Sequence, residues 1–349
     1  MIVYWFIFAF PVFAALYPLR THQSLRRIIW TLFGAALTLL IGFRFEVGGD
    51  WRSYFQFYSR IENMSIRQVL SEKDIGYSIL NWLVGQIGGE IYLVNLICGL
   101  IVVTGVISFS RRQPLPWLSI VVSVPYMIIV VAMGYTRQSA AMGFELLALV
   151  ALMDARIQRF FALVVCGALF HKSAIVLLPL AVLSHRKKRI WTFFWIVVTS
   201  TVFGLVILIE YYEGLWLNYV VEKMVSEGGP VRIAMNAVPA LLLLIYHKKL
   251  TLEESERRLW LWIALFSLAC IPLVSSASTA VDRVALYFMP IQLYVFSRIH
   301  RIFGSPIFKT LAVVCVVLAY SMVQWVWLNY ASHAFAWLPY QFYPFVTLF

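Results

Sequence analysis

Residues 91–110, IYLVNLICGLIVVTGVISFS, carry no charged side chain, and runs like this recur along most of the chain. An uncharged run of about 20 residues matches the hydrocarbon thickness of a bilayer. Comparable apolar runs are 2–18, 28–42, 115–133, 138–153, 160–183, 190–209, 233–247, 258–274, 284–297 and 309–330, of which four hold a single charge each: Glu145, Lys172, Arg258 and Lys309. The chain is 62% hydrophobic and 13% charged, with mean hydropathy +0.83. Soluble domains carry roughly 25% charge, so a soluble core is excluded. Lipid cannot satisfy open backbone groups, which makes the spans helical. The expectation is an all-α polytopic membrane protein of about eleven transmembrane or re-entrant segments. No repeat or low-complexity linker divides it, so residues 1–349 read as a single integral membrane domain. Stretch 75–88 is apolar but short and reads as an interfacial or re-entrant helix. Ile2–Pro18 lacks a basic start and a small-residue cleavage site and reads as a span. Cys98, Cys166, Cys270 and Cys315 fall in apolar stretches without paired spacing, which implies reduced, buried thiols.

Basic loops set orientation. Arg20, Arg26 and Arg27 form one; Arg111 and Arg112 a second; Arg156 and Arg159 a third. "SHRKKR" (Ser184–Arg189) follows, then Lys248, Lys249, Arg257 and Arg258, then Arg298, Arg301 and Lys309. All face the cytoplasm together, with both termini outside, if 160–183 enters and returns as two half-helices broken near "FHKS", Phe170–Ser173. The alternative is a simple crossing with different parity elsewhere.

On that topology Arg44, Arg137, Arg232 and Arg283 sit at the outer mouths of four separate spans. Each alone reads as an arginine snorkelling to headgroups. Together they read as an anion site, because such charges usually face a wet cavity and the guanidinium fork suits phosphate. Neither Asp-x-Asp, His-Glu-x-x-His nor a P-loop is present, so neither a metal nor a nucleotide cofactor is expected. Arginines can instead neutralise a departing diphosphate, leaving one carboxylate or imidazole to accept a proton. Asp50, in the flexible "VGGD", is the first candidate base; the alternative is a pair with Arg44 or Arg52. Asp282 reads as a base or as a helix cap. His171 reads as a base, a phosphate donor or a buried hydrogen-bonding residue. Tyr54, Gln138 and Ser173 are candidate donors to phosphate or sugar, and Glu145 is expected to pair with a basic neighbour inside the bundle. The outer loop Glu210–Val231, rich in Tyr, Trp and Glu, reads as a headgroup belt or a sugar groove.

"GFRFEVGGDWRSY", "YTRQSAAMGFELLAL", "FHKSA", "GGPVRIAMNAVPALLLL" and "STAVDRVALYFMP" together resemble the EpsG-like branch of the Wzy O-antigen and exopolysaccharide polymerases, from Gly42 to Pro290. The resemblance implies a GT-C-type glycosyltransferase of a bacterial inner membrane, working at the periplasmic face. It implies undecaprenyl-diphosphate-linked oligosaccharides as donor and acceptor, and a chain-length-regulating co-polymerase as partner, with no nucleic acid. Arg44, Asp50 and Tyr54 match the first motif, Arg137 and Gln138 the second, His171 and Ser173 the third. Arg232 matches the fourth, and Asp282 and Arg283 the fifth. The rival readings are an O-antigen ligase, a flippase or exporter of the same lipid-linked sugars, and an acyltransferase resting on His171.

Overall fold

The computed structural model describes residues 1–17, 22–184, 201, 228–251, 253–275 and 278–346. The expected span 190–209, most of the loop Glu210–Val231, and the basic run after Ser184 lie outside the described residues. The described residues are helical, with no strand and one isolated antiparallel bridge between Arg44 and Phe342. In chain order the principal helices are α1 (Ile2–Leu16), α2 (Gln23–Gly42), α3 (Trp51–Ile61), α4 (Ile75–Gln86), α5 (Ile91–Ser110) and α6 (Pro116–Ser123). They continue with α7 (Thr136–Met153), α8 (Ile157–Phe170), α9 (Leu178–Ser184), α10 (Gly229–Leu250) and α11 (Glu254–Leu273). The last three are α12 (Ser278–Leu286), α13 (Pro290–Phe296) and α14 (Pro306–Tyr330).

Four of these, α2, α5, α10 and α14, are long and apolar enough to cross a membrane alone. Several expected spans are broken, and prolines account for two of the breaks. Pro290 cannot donate a backbone N–H, and the expected span 284–297 divides into α12 and α13 across a turn. Pro125 marks a similar change in 115–133, where α6 passes into a π-helix, Val124–Ala132. Stretch 160–183 breaks at the expected place: α8 ends at Phe170, His171 is extended, and a 3-10 turn starts at Lys172. Stretch 75–88 is the short helix α4. Helix α3 buries Trp51, Tyr54, Tyr58 and Ile61, one face at helical spacing.

The core centres on residues 118–134, every one of them buried. Helices α1, α5, α13 and α14 pack around α6. Large apolar side chains such as Phe6, Leu32, Ile245 and Leu318 point outward, as lipid-facing positions do. Inside, α10, α13 and α14 are joined by side-chain hydrogen bonds. Tyr320 donates to Gln292 Oε1 at 2.6 Å, Gln292 Nε2 to Asn236 Oδ1 at 2.6 Å, and Asn236 Nδ2 to the Ala285 carbonyl at 2.8 Å. Helices α5 and α7 cross at Gly105 and Gly143. A Cβ on Gly105 would lie 2.4 Å from the Gly143 carbonyl oxygen, so only glycine allows this approach. Cys98 and Cys270 are buried free thiols, whereas Cys315 is exposed.

Polar groups gather at the two ends. At one, Arg112 pairs with Asp154, and Arg298 packs 3.6 Å over the Tyr294 ring while donating to Glu256 at 3.0 Å. These residues come from loops expected to share a face. At the other, Tyr4 donates to the Trp337 carbonyl at 2.7 Å, and Gln324 Nε2 to the Tyr4 carbonyl at 3.1 Å. The segment after α14 returns across the loop after α2: Phe45 N–H meets Gln341 O at 2.9 Å, Gly48 N–H meets Ala336 O at 2.8 Å, and Tyr343 N–H meets Phe43 O at 2.8 Å.

Gly105→Ala is expected to destabilise the protein by about 1–3 kcal/mol through overpacking. Gly304→Ala, with open space around the new methyl, is expected to leave the thermal midpoint in detergent unchanged.

Candidate functional site

The site lies at the end carrying the loop 43–50. Helix α2 stops at Gly42, and the chain then runs through a series of turns and bends between the C-terminal segment and the end of the π-helix. Gly48 has φ +109°, and a Cβ there would sit 2.3 Å from the Met133 carbonyl oxygen. The glycine of "VGGD" is therefore a close-approach position as well as a turn. Arg44 is 1% exposed and reaches inward. Its guanidinium donates to the Ile41 carbonyl at 2.5 Å, to Thr136 Oγ1 at 2.7 Å and to Asn95 Oδ1 at 3.2 Å. It also lies 5.7 Å from the Trp51 ring. This arginine ties α2, α5 and the start of α7 together beneath the site.

Above it, Arg137 leaves the first turn of α7. It donates to Asp74 Oδ2 at 2.6 Å and sits against Tyr54, Phe57 and Tyr77, with ring centroids 5.7–6.0 Å away. Its side chain remains 38% exposed. Gln138 Nε2 reaches the Arg283 carbonyl at 3.2 Å, tying α7 to α12. The Arg283 side chain is exposed and has no ion-pair partner among the described residues. Arg232 grips Asp282 through Nε and a terminal nitrogen, the two-point geometry in which a guanidinium holds a carboxylate best. Asp282 lies inside α12 and not at its start, so this pair replaces the reading of it as a helix cap. His171 Nδ1 meets Ser173 Oγ, and Tyr287 OH lies 3.4 Å from His171 and 3.5 Å from Ser173.

Asp50 precedes α3 and pairs with neither Arg44 nor Arg52 among the described residues. Its surface is open to solvent, yet protein surrounds most of it. That crowding raises its carboxyl above the ordinary aspartate range, with Arg137 and Arg283 pulling the other way. The same two arginines act electrostatically on His171. Tyr135 is within electrostatic reach of Arg232, Asp50, Asp282 and Arg283. The sequence-predicted residues thus converge on one end of the bundle, with Arg44 as the floor. Chemically, the arrangement offers one carboxylate without an ion-pair partner among the described residues, within electrostatic reach of Arg137 and Arg283.

Sequence reasoning passed over Asp74, Asn95, Thr136, Tyr135 and Tyr287. Asp74 stands just ahead of α4, and its distance of 63 positions from Arg137 leaves no spacing signal to find it by. Burial raises the Asp74 carboxyl, opposed by Arg137. The expected pairing of Glu145 is corrected: it is 1% exposed, and neither carboxylate oxygen has a partner among the described residues. The side chain sits two turns below Gln138, where no basic residue reaches it.

The model of the EpsG family matches residues 27–342. No curated protein and no solved structure matches the chain. The chain therefore belongs to the EpsG family, membrane proteins of the exopolysaccharide and O-antigen polymerase type.

Burial separates the four arginines experimentally. Arg44→Ala deprives three buried acceptors of a charged donor and is expected to cost roughly 3 kcal/mol or more. Arg283→Ala removes an exposed side chain and is expected to stay within about 0.5 kcal/mol of wild type. Thermal unfolding of the purified variants in detergent checks both.

Proposed function

We propose, with EpsG-family membership as the premise, that this protein is a polysaccharide polymerase of a bacterial inner membrane. It has a GT-C-type architecture, and its site faces the periplasm. It joins undecaprenyl-diphosphate-linked oligosaccharide repeats by moving the growing chain from one carrier onto the non-reducing end of a new repeat. The observation that carries this reading is the Asp50 carboxylate, without an ion-pair partner among the described residues and under the electrostatic influence of Arg137 and Arg283. A base beside two cations suits the loss of a proton from one partner and of a diphosphate from the other.

In the reaction, an acceptor hydroxyl attacks the anomeric carbon of the donor glycan. The new C–O bond forms as the bond from the anomeric carbon to the diphosphate oxygen breaks, and the diphosphate leaves with the electron pair. Asp50 takes the hydroxyl proton. Arg137 and Arg283 neutralise the charge growing on the leaving group, which replaces the cation other sugar transferases employ. Arg232 and Asp282 hold α10 to α12 and fix the wall from which Arg283 projects. Tyr54 backs Arg137, Gln138 fixes the backbone at Arg283, and His171 with Ser173 supplies polar contacts at the break after α8. A chain-length-regulating partner would act on the number of repeats added.

A surface-polysaccharide gel from cells lacking the gene tests the reading. The expected null phenotype is a core capped by a single repeat, with the ladder restored by wild type. A null without capped core points instead to a ligase if lipid-linked repeats accumulate outside, or to a flippase if they remain inside. Arg137→Ala is expected to lower the polymerisation rate by about 100-fold, as loss of one preorganised donor does. Arg137→Lys should rescue poorly if the contact uses two nitrogens. Asp50 works as a base only when ionised, so activity is lost as pH falls through its carboxyl pKa. Because that pKa is raised, the acid limb of the rate profile is expected above the value of about 4 for free aspartate. Asp50→Asn is expected to abolish the limb together with the activity.

A further inference from the structure

Beside Asp50, on the first turns of α3, lies a recess of about 240 Å³. Its walls are aromatic: Phe45, Trp51, Phe55 and Tyr92. Trp51 and Tyr92 are 5.8 Å apart at 37°, and Phe45 and Trp51 are 6.4 Å apart at 58°, while Tyr92 stacks on Tyr343 at 3.7 Å, which fixes it as a wall of the recess. Between them stand Glu46, Arg52 and Gln56. None of these three polar side chains has a hydrogen-bond or ion-pair partner among the described residues.

Glu46 is also strained. Its φ is +51°, a left-handed conformation that a non-glycine residue adopts only at a cost. The strain persists because the backbone on either side is fixed: Phe45 N–H to Gln341 O, and Gly48 N–H to Ala336 O. The C-terminal segment thereby holds the Glu46 carboxylate at the edge of the recess.

We propose that this recess binds a sugar ring of the acceptor repeat, resting on the polymerase reading above. The lining selects that class of ligand. Glu46 only accepts hydrogen bonds, Arg52 only donates, and Gln56 does both. That mixture matches hydroxyl groups, each of which donates and accepts. An isoprenoid tail would leave all three polar groups desolvated and unpaired. A diphosphate would face the Glu46 charge with a single cation to oppose it. Aromatic walls complement the C–H faces of a pyranose, and the recess begins where α3 meets Asp50. A ring seated there is held by the first turns of α3, immediately after the proton acceptor Asp50.

The probe is the free repeat oligosaccharide, released by mild acid from the surface polysaccharide of the cells that make this protein. It is titrated against the full chain in lipid nanodiscs. Phe55→Ala, Gln56→Ala and Arg52→Ala alter exposed side chains and leave the fold intact. Each is expected to weaken oligosaccharide binding by about tenfold, the loss of one good contact. Undecaprenyl diphosphate without sugar is expected to bind all of them as it binds wild type. In polymerisation assays KM for the lipid-linked repeat should rise while kcat changes little. Oligosaccharide affinity equal to wild type in all three variants, or no oligosaccharide binding by wild type, overturns the proposal. A matching fall in undecaprenyl diphosphate affinity overturns it as well and makes the recess part of an anion site. Weakened oligosaccharide binding in a protein whose null strain still shows the ladder keeps the recess and overturns the polymerase reading.

Discussion

A buried guanidinium with no carboxylate partner among the described residues, sealed under the loop 43–50, is the interaction on which the rest of this end depends. Arg44 resolves its charge through neutral acceptors on three elements: the last turn of α2, Asn95 of α5 and Thr136 of α7. Each such bond is strong because the donor is charged and the surroundings exclude water. The geometry fixes where the chain leaves α2, and so where Glu46, Gly48 and Asp50 lie. It also fixes the first turn of α7, from which Arg137 and Gln138 project. Bridging to Phe342 brings the C-terminal segment over the same loop.

Four arginines of one sequence type have been given four environments. Arg44 is buried and spent on internal acceptors, and Arg232 is matched by Asp282. Arg137 is half caged by rings and Asp74, while Arg283 stands open. Water access decides what each can do. Charge in a low-dielectric interior must be answered locally or it costs more than the fold can supply. An open guanidinium keeps its donors for a ligand. The proposed site uses both kinds: closed arginines to hold the walls, open ones to meet the diphosphate proposed as leaving group. Asp50 and Asp282 divide the same way, one carboxylate free and one gripped at both oxygens.

The membrane-facing part of the bundle obeys a different economy. Many polar side chains there bond backbone carbonyls of their own helix, as Thr38 and Ser267 do, and others bond one another, as in the Asn236, Gln292 and Tyr320 network. Glu145 departs from that pattern with both oxygens unpartnered, below a site whose other acids are paired or wet. Close helix contact comes instead from glycine, at Gly105 and Gly143.

Much of this was written in the sequence, because its cause is local. Uncharged runs demand helices in lipid, "VGGD" demands a tight turn, and "FHKS" breaks a helix where His171 is extended. Clustered outer arginines marked the end of the bundle that matters. Other features are absent from any local pattern. Arg137 meets Asp74, Arg232 meets Asp282, and Phe45 meets Gln341 across most of the chain's length. Prolines at 125 and 290 interrupted runs that hydropathy alone joins, and Glu145 failed to find the partner that charge balance suggested. Composition determined that this chain enters a membrane as helices with arginines at their ends. Only the packing of those helices decided which charges are answered inside and which stay open, because that depends on neighbours brought from distant sequence and on the water they exclude.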